Sequence, residues 1–349
     1  MSKPLLNSTR KLFSTSLPLF LNGTKEPLFN NRYNFISIKR GESDIDLNRL
    51  TLQCNCFLDE LDKKSGFSVE RLNLLQHQEK YEKDESVITS QIPFYNKHLL
   101  LLTPPNSYNY WNSRIESDSN WPYSSIGHLK QKLLKSGVLG KGLLINAISM
   151  ENYDNIPSID FKEYANFLSI PEMKLYSINV SQLDSFGNFL IKQYKKIGQA
   201  TDIDSKVYNP FIIEKKEVIG NKDNTLDNPD IQFKVGHFNL NKGLILVCGH
   251  KKRDSRCGYI APYIIDELKR SDLNNYHIGV ISHIGGHKYA GNLIIYKFNN
   301  FSITKNSNPN IDGIWLKQVY PQFIKTIIDN IEQNNIIKEL YRGLYTSYK

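Results

Sequence analysis

The sequence predicts an α/β fold, because strand-like apolar runs and amphipathic helical segments alternate along most of the chain. In the first part, the runs His98–Thr103 and Gly142–Ser149 have the length of buried strands. Between them, Ile126–Leu134 has apolar residues at helical spacing, and Phe189–Ile197 predicts a further helix. This alternation is typical of sheets covered by helices.

The C-terminal part repeats these signals in the order strand, helix, strand, strand, helix. The predicted elements are the strand Gly243–Val247, the helix Gly258–Arg270, the strands His277–Ser282 and Leu293–Phe298, and a helix that contains Ile324 and Ile331. This order suits a thioredoxin-like layer of sheet and helices.

The length of 349 residues predicts two domains, since one ordinary core rarely extends so far. A polar, turn-rich stretch between about Thr201 and Asp230 is the expected boundary. We therefore expect an N-terminal tail at residues 1–30, a first domain at 31–215, a linker at 216–235 and a second domain at 236–349.

The N-terminal tail has the composition of a mitochondrial transit peptide. It carries Lys3, Arg10 and Lys11, several serines, and no acidic residue before Glu26. We therefore expect a mitochondrial protein, located in the matrix or the intermembrane space. The alternative is a disordered tail without a targeting role.

Composition excludes several classes of function. The net charge is +9, but basic and acidic residues are interleaved and no nucleic-acid motif is present, which indicates a solvated basic surface. No apolar run is long enough for a transmembrane helix. No phosphate-binding loop, dinucleotide fingerprint or nucleophile elbow is found, so no catalysed bond-making reaction is predicted.

The chemistry is concentrated in two short loops. The chain has only four cysteines, too few for a disulfide-stapled secreted protein. Cys248 and Cys257 flank the loop between a predicted strand and helix, and His283 and His287 follow the next strand. The four residues form a candidate metal site, while Cys54 and Cys56, which no histidine pair accompanies, receive no role. His250, inside the cysteine loop, is interpreted as structural.

Glycines and a helix start favour ligation at these four positions. Cys257 is expected at a helix N-terminus, which lowers the pKa of a thiol and favours thiolate. Gly285 and Gly286 allow a tight turn between the two histidines. Zinc and a [2Fe–2S] cluster both accept two cysteines and two histidines, and the long spacing between the cysteines favours iron–sulfur only slightly.

The segments Cys248–Gly258 and His283–Asn292 resemble the two ligand loops of the sucrase/ferredoxin-like family. The resemblance is strong over Gly243–Ile331 and loose elsewhere. It implies a tandem of two thioredoxin-like units, of which the C-terminal one is a thioredoxin-like ferredoxin. It further implies a [2Fe–2S] cluster bound by the two cysteines and two histidines. The redox work that it implies is electron transfer or the maintenance of thiol or iron–sulfur proteins in mitochondria, with a protein partner that it does not identify.

Three hypotheses follow from the four residues. The first is a one-electron carrier, in which Lys251, Lys252, Arg253 and Arg256 raise the cluster potential and attract acidic partners. The second is a zinc module, in which the same ligands only connect two loops. The third is a thiol oxidoreductase that uses Cys248 and Cys257 as a dithiol, which their long spacing disfavours.

Overall fold

The computed structural model describes residues 32–36, 91–139, 142–151, 159–200, 233–237, 242–271, 273–286, 290–298 and 310–347. The predicted tail at residues 1–30 lies outside these ranges, and so do Cys54, Cys56 and His287. No helix among the described residues is both long enough and apolar enough to cross a membrane.

The described residues form four α-helices and twelve strands. The helices are α1 (Ser124–Lys135), α2 (Leu183–Ala200), α3 (Ser255–Arg270) and α4 (Ile324–Glu332). The strands are β1 (Asn34–Ile36), β2 (Lys97–Thr103), β3 (Leu143–Met150), β4 (Ala165–Ile170), β5 (Lys174–Ile178), β6 (Lys234–His237), β7 (Gly243–Cys248), β8 (Tyr276–Ile281), β9 (Leu293–Phe298), β10 (Ile311–Leu316), β11 (Asn335–Ile337) and β12 (Tyr341–Thr346).

Ten of these strands form one mixed sheet in the order β12-β10-β9-β7-β8-β3-β2-β4-β5-β6, and β1 pairs separately with β11. The predicted α/β class is therefore confirmed. Residues 91–237, the first half, supply β2 to β6, and residues 242–347, the second half, supply the larger sheet's other five strands. The halves meet where β3 and β8 pair antiparallel, with Ser149 opposite Val280.

The same order of strands occurs in both halves. In the first half, β2 lies between β3, to which it is parallel, and the antiparallel strand β4, which is followed by β5. In the second half, β7 lies between the parallel strand β8 and the antiparallel strand β9, which is followed by β10. This repetition supports the tandem arrangement of two thioredoxin-like units, which stays a prediction together with the proposed domain boundaries.

The helices cover one face of the sheet. Strand residues alternate between the faces, so that Leu99 and Leu101 pack in the core that also contains Leu129 of α1 and Ile264 of α3. Leu100 packs in a second core on the other face. Cys248 and Cys257 belong to this second core.

The sequence interpretation was accurate for the longer strands and wrong at the starts of two helices. Helix α2 begins at Leu183, not Phe189, after a short turn in which the Asn179 side chain accepts a hydrogen bond from the backbone of Gln182. Helix α3 begins at Ser255, not Gly258, because the Asp254 side chain accepts a bond from the Arg256 N–H.

Several strands were missed by the sequence interpretation. These are β4, β5, β6, β10, β11 and β12. Strands β4 and β5 contain Asn166, Ser169 and Ser177 among their apolar residues, so neither forms the continuous apolar run that marks a buried strand. The second half therefore has more strands than the predicted order contained.

Candidate metal centre

Cys248 and Cys257 are brought together by the parallel pairing of β7 and β8 and by the start of α3. Cys248 is the last residue of β7, and Cys257 lies in the first turn of α3. Their side chains are hydrogen-bonded to each other. Both side chains are 0% exposed, so this sulfur pair is enclosed by protein.

The two thiols of the pair have opposite proton affinities. The pKa of Cys257 is lowered, first because Cys248 donates a hydrogen bond to it and further by the backbone N–H groups of Gly291 and Asn292. The pKa of Cys248 is raised by the bond to Cys257 and by burial, against the N–H groups of Ile284 and His250. Cys257 therefore loses its proton more readily than Cys248. The sequence predicted a lowered pKa for Cys257 from its place at a helix start, but the largest cause of the lowering is the hydrogen bond with Cys248.

Four backbone N–H groups, those of His250, Ile284, Gly291 and Asn292, thus donate to the two sulfurs. They come from the turn after β7 and from both ends of the segment His283–Gly291, called the histidine loop below. The Cys248 N–H also donates to the Asn292 carbonyl oxygen over 2.9 Å. Hydrogen bonds of this kind stabilise negative charge on sulfur.

His283 follows β8 directly and has a fixed backbone. Its N–H donates to His250 Nδ1 over 3.3 Å, and its carbonyl oxygen accepts a bond of 3.2 Å from Asn146 Nδ2. Burial raises the pKa of Asp254, the capping residue of α3, but the bond from Arg256 lowers it overall, and the nearby His283 has a smaller effect in the same direction. His283 therefore lies near the start of the helix that carries Cys257.

His250 connects the cysteine loop to the first half of the molecule. Its Nε2 lies 2.7 Å from the Asn112 carbonyl oxygen, and its ring is edge-on to Trp111 with centroids 5.7 Å apart. Because a carbonyl can only accept, the proton is on Nε2, and Nδ1 is free to accept from the His283 N–H. Burial lowers the pKa of His250, which keeps the ring neutral. These contacts fit the structural role predicted for it.

Glycines shape the histidine loop as expected. Gly285 and Gly286 have φ of 76° and 75°, in the left-handed region that favours glycine. Asn292, which follows the loop, contributes its N–H to the sulfur pair. Within the described ranges, no group of three or more His, Cys, Asp or Glu side chains is arranged to hold a metal ion. The structure therefore brings the two cysteines together, and it does not place the complete predicted set of four ligands.

A chain of buried hydrogen bonds reaches this site from the sheet. Trp315 Nε1 donates to the Tyr95 hydroxyl over 2.8 Å, and the hydroxyls of Tyr95 and Tyr296 are 3.3 Å apart. His98 Nδ1 lies 2.7 Å from the Tyr296 hydroxyl, and its Nε2 lies 3.0 Å from Asn146 Oδ1. The amide group of Asn146 then donates to the oxygens of Ser282 and His283.

Sequence reasoning missed Asn146 and Arg342, which both contact the histidine loop. The nitrogens of the Arg342 guanidinium donate to Ile284 O over 3.2 Å and to Asn292 Oδ1 over 3.1 Å. Each residue interrupts a largely apolar segment, namely β3 and β12. A polar residue in a strand read as buried is the signal that would have identified Asn146. Arg342 gave no such signal, because β12 was not predicted as a strand.

Comparison with known proteins agrees with the resemblance of the two loops. The family model for sucrase/ferredoxin-like proteins matches residues 88–343. The chain is 31% identical over 325 residues to altered inheritance of mitochondria protein 32 of Kluyveromyces lactis, which covers 90% of this chain and 91% of that protein. No solved structure matches significantly.

Two further relatives carry the same name. The protein of Saccharomyces kudriavzevii is 35% identical over 271 residues, which cover 73% of this chain and 79% of that protein. The protein of Saccharomyces cerevisiae is 29% identical over 323 residues, which cover 90% of this chain and 94% of that protein.

Proposed function

Because the chain belongs to the sucrase/ferredoxin-like family, we propose that it is a mitochondrial [2Fe–2S] protein that transfers electrons. The ligands in this proposal are Cys248, Cys257, His283 and His287. The observation that carries it is the enclosed sulfur pair of Cys248 and Cys257 with four N–H groups donating to it. When bound, the cluster supplies a one-electron couple whose potential histidine ligation raises above that of an all-cysteine centre.

The chain's own residues fit such a centre. Thiolates are the ligands of iron–sulfur clusters, and Cys257 already has a lowered pKa. The N–H groups of Ile284 and Asn292 stabilise negative charge at the sulfurs, which increases when an electron is added. His250, kept neutral by burial and fixed by its bond to the Asn112 carbonyl oxygen, orients the backbone at His283. These residues thus hold the ligands and set the electrostatics.

Mitochondrial location is supported by two features. The curated relatives are named for altered inheritance of mitochondria. The tail of this chain is basic and has no acidic residue before Glu26. Import of the tail fused to a reporter protein, compared with a tail in which Arg10 and Lys11 are glutamine, tests the targeting role. Equal import of both fusions would contradict it.

A redox partner with an acidic surface is the third part of the proposal. Lys251, Lys252 and Arg253, called the basic turn below, are exposed and lie between the two cysteines in sequence. Arg256 differs from them, since its guanidinium is paired with the Asp254 carboxylate over 2.9 Å. The net positive charge is therefore located on the basic turn, where it attracts anionic partners.

Thiol exchange is the second candidate, which the contact between Cys248 and Cys257 favours. The Cys257 thiolate would attack a disulfide of a substrate protein, releasing one substrate thiolate and forming a mixed disulfide. Cys248 would then lose its proton and attack Cys257 Sγ, releasing the second substrate thiol and leaving a Cys248–Cys257 disulfide. Both cysteines are 0% exposed, which hinders direct attack on a protein disulfide but not electron transfer.

The decisive experiment is a visible absorption spectrum of anaerobically purified protein, with iron, sulfide and zinc measured on the same sample. We expect bands between roughly 350 and 600 nm that bleach with dithionite, and about two iron and two sulfide per chain. Cys248→Ser should abolish the bands, and His283→Ala should shift or abolish them. Cys54→Ser and His128→Ala are the matched controls, since neither residue belongs to the proposed set.

Three other results are distinguishable. A colourless protein with one bound zinc would replace electron transfer by the zinc module. A metal-free protein that cannot be reconstituted, and whose Cys248–Cys257 disulfide turns over with a dithiol, would favour thiol exchange. Unchanged bands in both ligand variants would show that the cluster is held elsewhere.

A further inference from the structure

Arg342 is a buried positive charge next to the histidine loop. It is 3% exposed. In β12 it lies at a shift in register with β10: Gly343 is opposite Trp315 and Tyr341 is opposite Leu316, so that Arg342 has no directly opposite residue. Such a β-bulge redirects a side chain relative to the regular alternation of a strand. The guanidinium carbon lies 5.3 Å from the centroid of the Trp315 ring.

The two hydrogen bonds of this guanidinium reach the start of the histidine loop and Asn292, the residue directly after the loop. At the start of the loop, Nη2 donates to the Ile284 carbonyl oxygen over 3.2 Å. Directly after the loop, Nη1 donates to Asn292 Oδ1 over 3.1 Å. The loop also lies against the guanidinium, since a Cβ added at Gly286 would be 2.9 Å from Nη2. Only glycine fits at this position without displacing Arg342.

The residues that Arg342 holds are also those that donate to the sulfurs. The Ile284 N–H donates to the Cys248 sulfur, and the Asn292 N–H donates to the Cys257 sulfur. One side chain therefore bonds a residue on each side of the sulfur pair. The planar fork of arginine suits this double contact, which the single ammonium group of lysine reproduces only in part.

We propose that Arg342 is the positioning residue of the centre: it holds Ile284 and Asn292 so that their N–H groups are directed at the two sulfurs. It acts through these residues and is not itself a ligand. This inference rests on the proposed function only for its electrostatic consequence. Where a cluster is bound, the guanidinium charge and the two donors favour the reduced, more negative form.

The positioning role is tested without any cluster. Hydrogen exchange of metal-free protein, followed in the peptide that contains residues 282–293, is compared for wild type, Arg342→Met and Arg342→Lys. We expect exchange at least tenfold faster in Arg342→Met, with Arg342→Lys between the two, and no change in a peptide from α1. Lys325→Met, which removes an 80% exposed charge from α4, is the matched control. Equal exchange in wild type and Arg342→Met would overturn the proposal.

The electrostatic consequence is tested on cluster-loaded protein by a redox titration followed in the visible bands. Arg342→Met should shift the reduction potential to more negative values, Arg342→Lys should restore part of the shift, and Lys325→Met should have the wild-type potential. An unchanged potential in folded, loaded Arg342→Met would contradict this consequence.

If Arg342→Met does not fold, Arg342→Lys decides, because lysine keeps the positive charge and lacks the planar pair of donors. If wild type binds no cluster, the proposed function fails while the exchange result still decides the role of Arg342.

Discussion

The two halves of the sheet have the same strand order and different residues at the strand ends. In the first half, β2 ends at Thr103 and is followed by Pro104 and Pro105. In the second half, β7 ends at Cys248, and β8 is followed by Ser282 and His283. Because the first two strands of each half are parallel, their carboxyl ends lie at one edge of the sheet. A shared scaffold thus offers the same location twice, and of the described strand ends only those of the second half carry a cysteine.

The first half contributes support to the site. Asn112 accepts the hydrogen bond that fixes His250, and Asn146 donates to the carbonyl oxygen of His283. His98, also from the first half, holds Asn146 in place. The half without candidate ligands therefore positions the half that has them. The following predictions test how far this division between support and ligation holds.

The largest expected effect is acid destabilisation through buried histidines, one from each half. Burial lowers the pKa of His98 and of His277 to about 4. Between pH 6.5 and 4, the unfolded chain binds these protons and the folded protein does not, so the free energy of unfolding decreases as pH falls. The fully buried His98 contributes about 3 kcal/mol to the free energy of unfolding. This contribution is fully present above pH 6.5 and is lost by about pH 4. Urea unfolding between pH 7 and 4.5 measures it.

His98→Gln is the variant that assigns this effect to the first half. It should weaken the dependence of the unfolding free energy on pH over the same interval. His128→Ala, which changes a histidine whose side chain is 43% exposed, should keep the wild-type dependence. If His98→Gln and wild type lose stability equally on acidification, the effect belongs to the second half.

The second prediction removes the contact from the first half to His283. Asn146→Leu should destabilise the protein by about 2 kcal/mol, because it removes the bonds to His98, Ser282 and His283 while their polar groups stay largely buried. It should also lower the yield of the proposed cluster. Denaturant unfolding and the visible spectrum measure the two effects. Asn109→Ala, at an exposed position, is the control. Wild-type stability and a wild-type cluster yield in Asn146→Leu would show that the halves are independent.

These supporting residues mark the limit of what the sequence predicts. The cysteines and histidines were found because chemically distinctive residues lie close together in the chain, and the long strands were found because β2 and β7 are continuous apolar runs. Asn146 and Arg342 are separated from the loop they hold by 137 and 58 positions. Their roles depend on strand pairing across the whole sheet, which local patterns do not encode.

Helix starts show a similar limit. The predicted start of α3 at Gly258 omitted the residue that decides it, since Asp254 caps the helix from outside the apolar repeat. Cys257 consequently lies inside the first turn, where its position is fixed by the helix. In the first half, α1 begins after Tyr123 with no capping bond from that side chain. Helix α3 therefore has a capping bond at its start that α1 lacks.

The third prediction tests this difference between the helix starts. Asp254→Ala should destabilise the protein by about 1 kcal/mol, because the cap of α3 and the pairing with Arg256 are both lost. Asp254→Asn should retain most of the stability, since an amide oxygen can also cap. Thermal unfolding of both variants measures the difference. A loss in Asp254→Asn as large as that in Asp254→Ala would assign the effect to the charge pair.

The smallest effect on stability, and a clear one on kinetics, is expected at the basic turn. Lys251→Gln with Lys252→Gln should change the free energy of unfolding by less than about 0.5 kcal/mol, because surface charges contribute little to it.

The kinetic effect of this double variant is measured with ferricyanide, an anionic oxidant. The rate at which ferricyanide oxidises the reduced variant should be several-fold lower than for wild type at low salt, and the two rates should converge at high salt. A cationic cobalt complex should react no more slowly with the variant. Lys325→Gln on α4 also removes an exposed charge and should leave both rates unchanged. If the double variant reacts with ferricyanide at the wild-type rate, electrons leave by another face of the molecule, and the positive charge beside the cysteines has no role in attracting a partner.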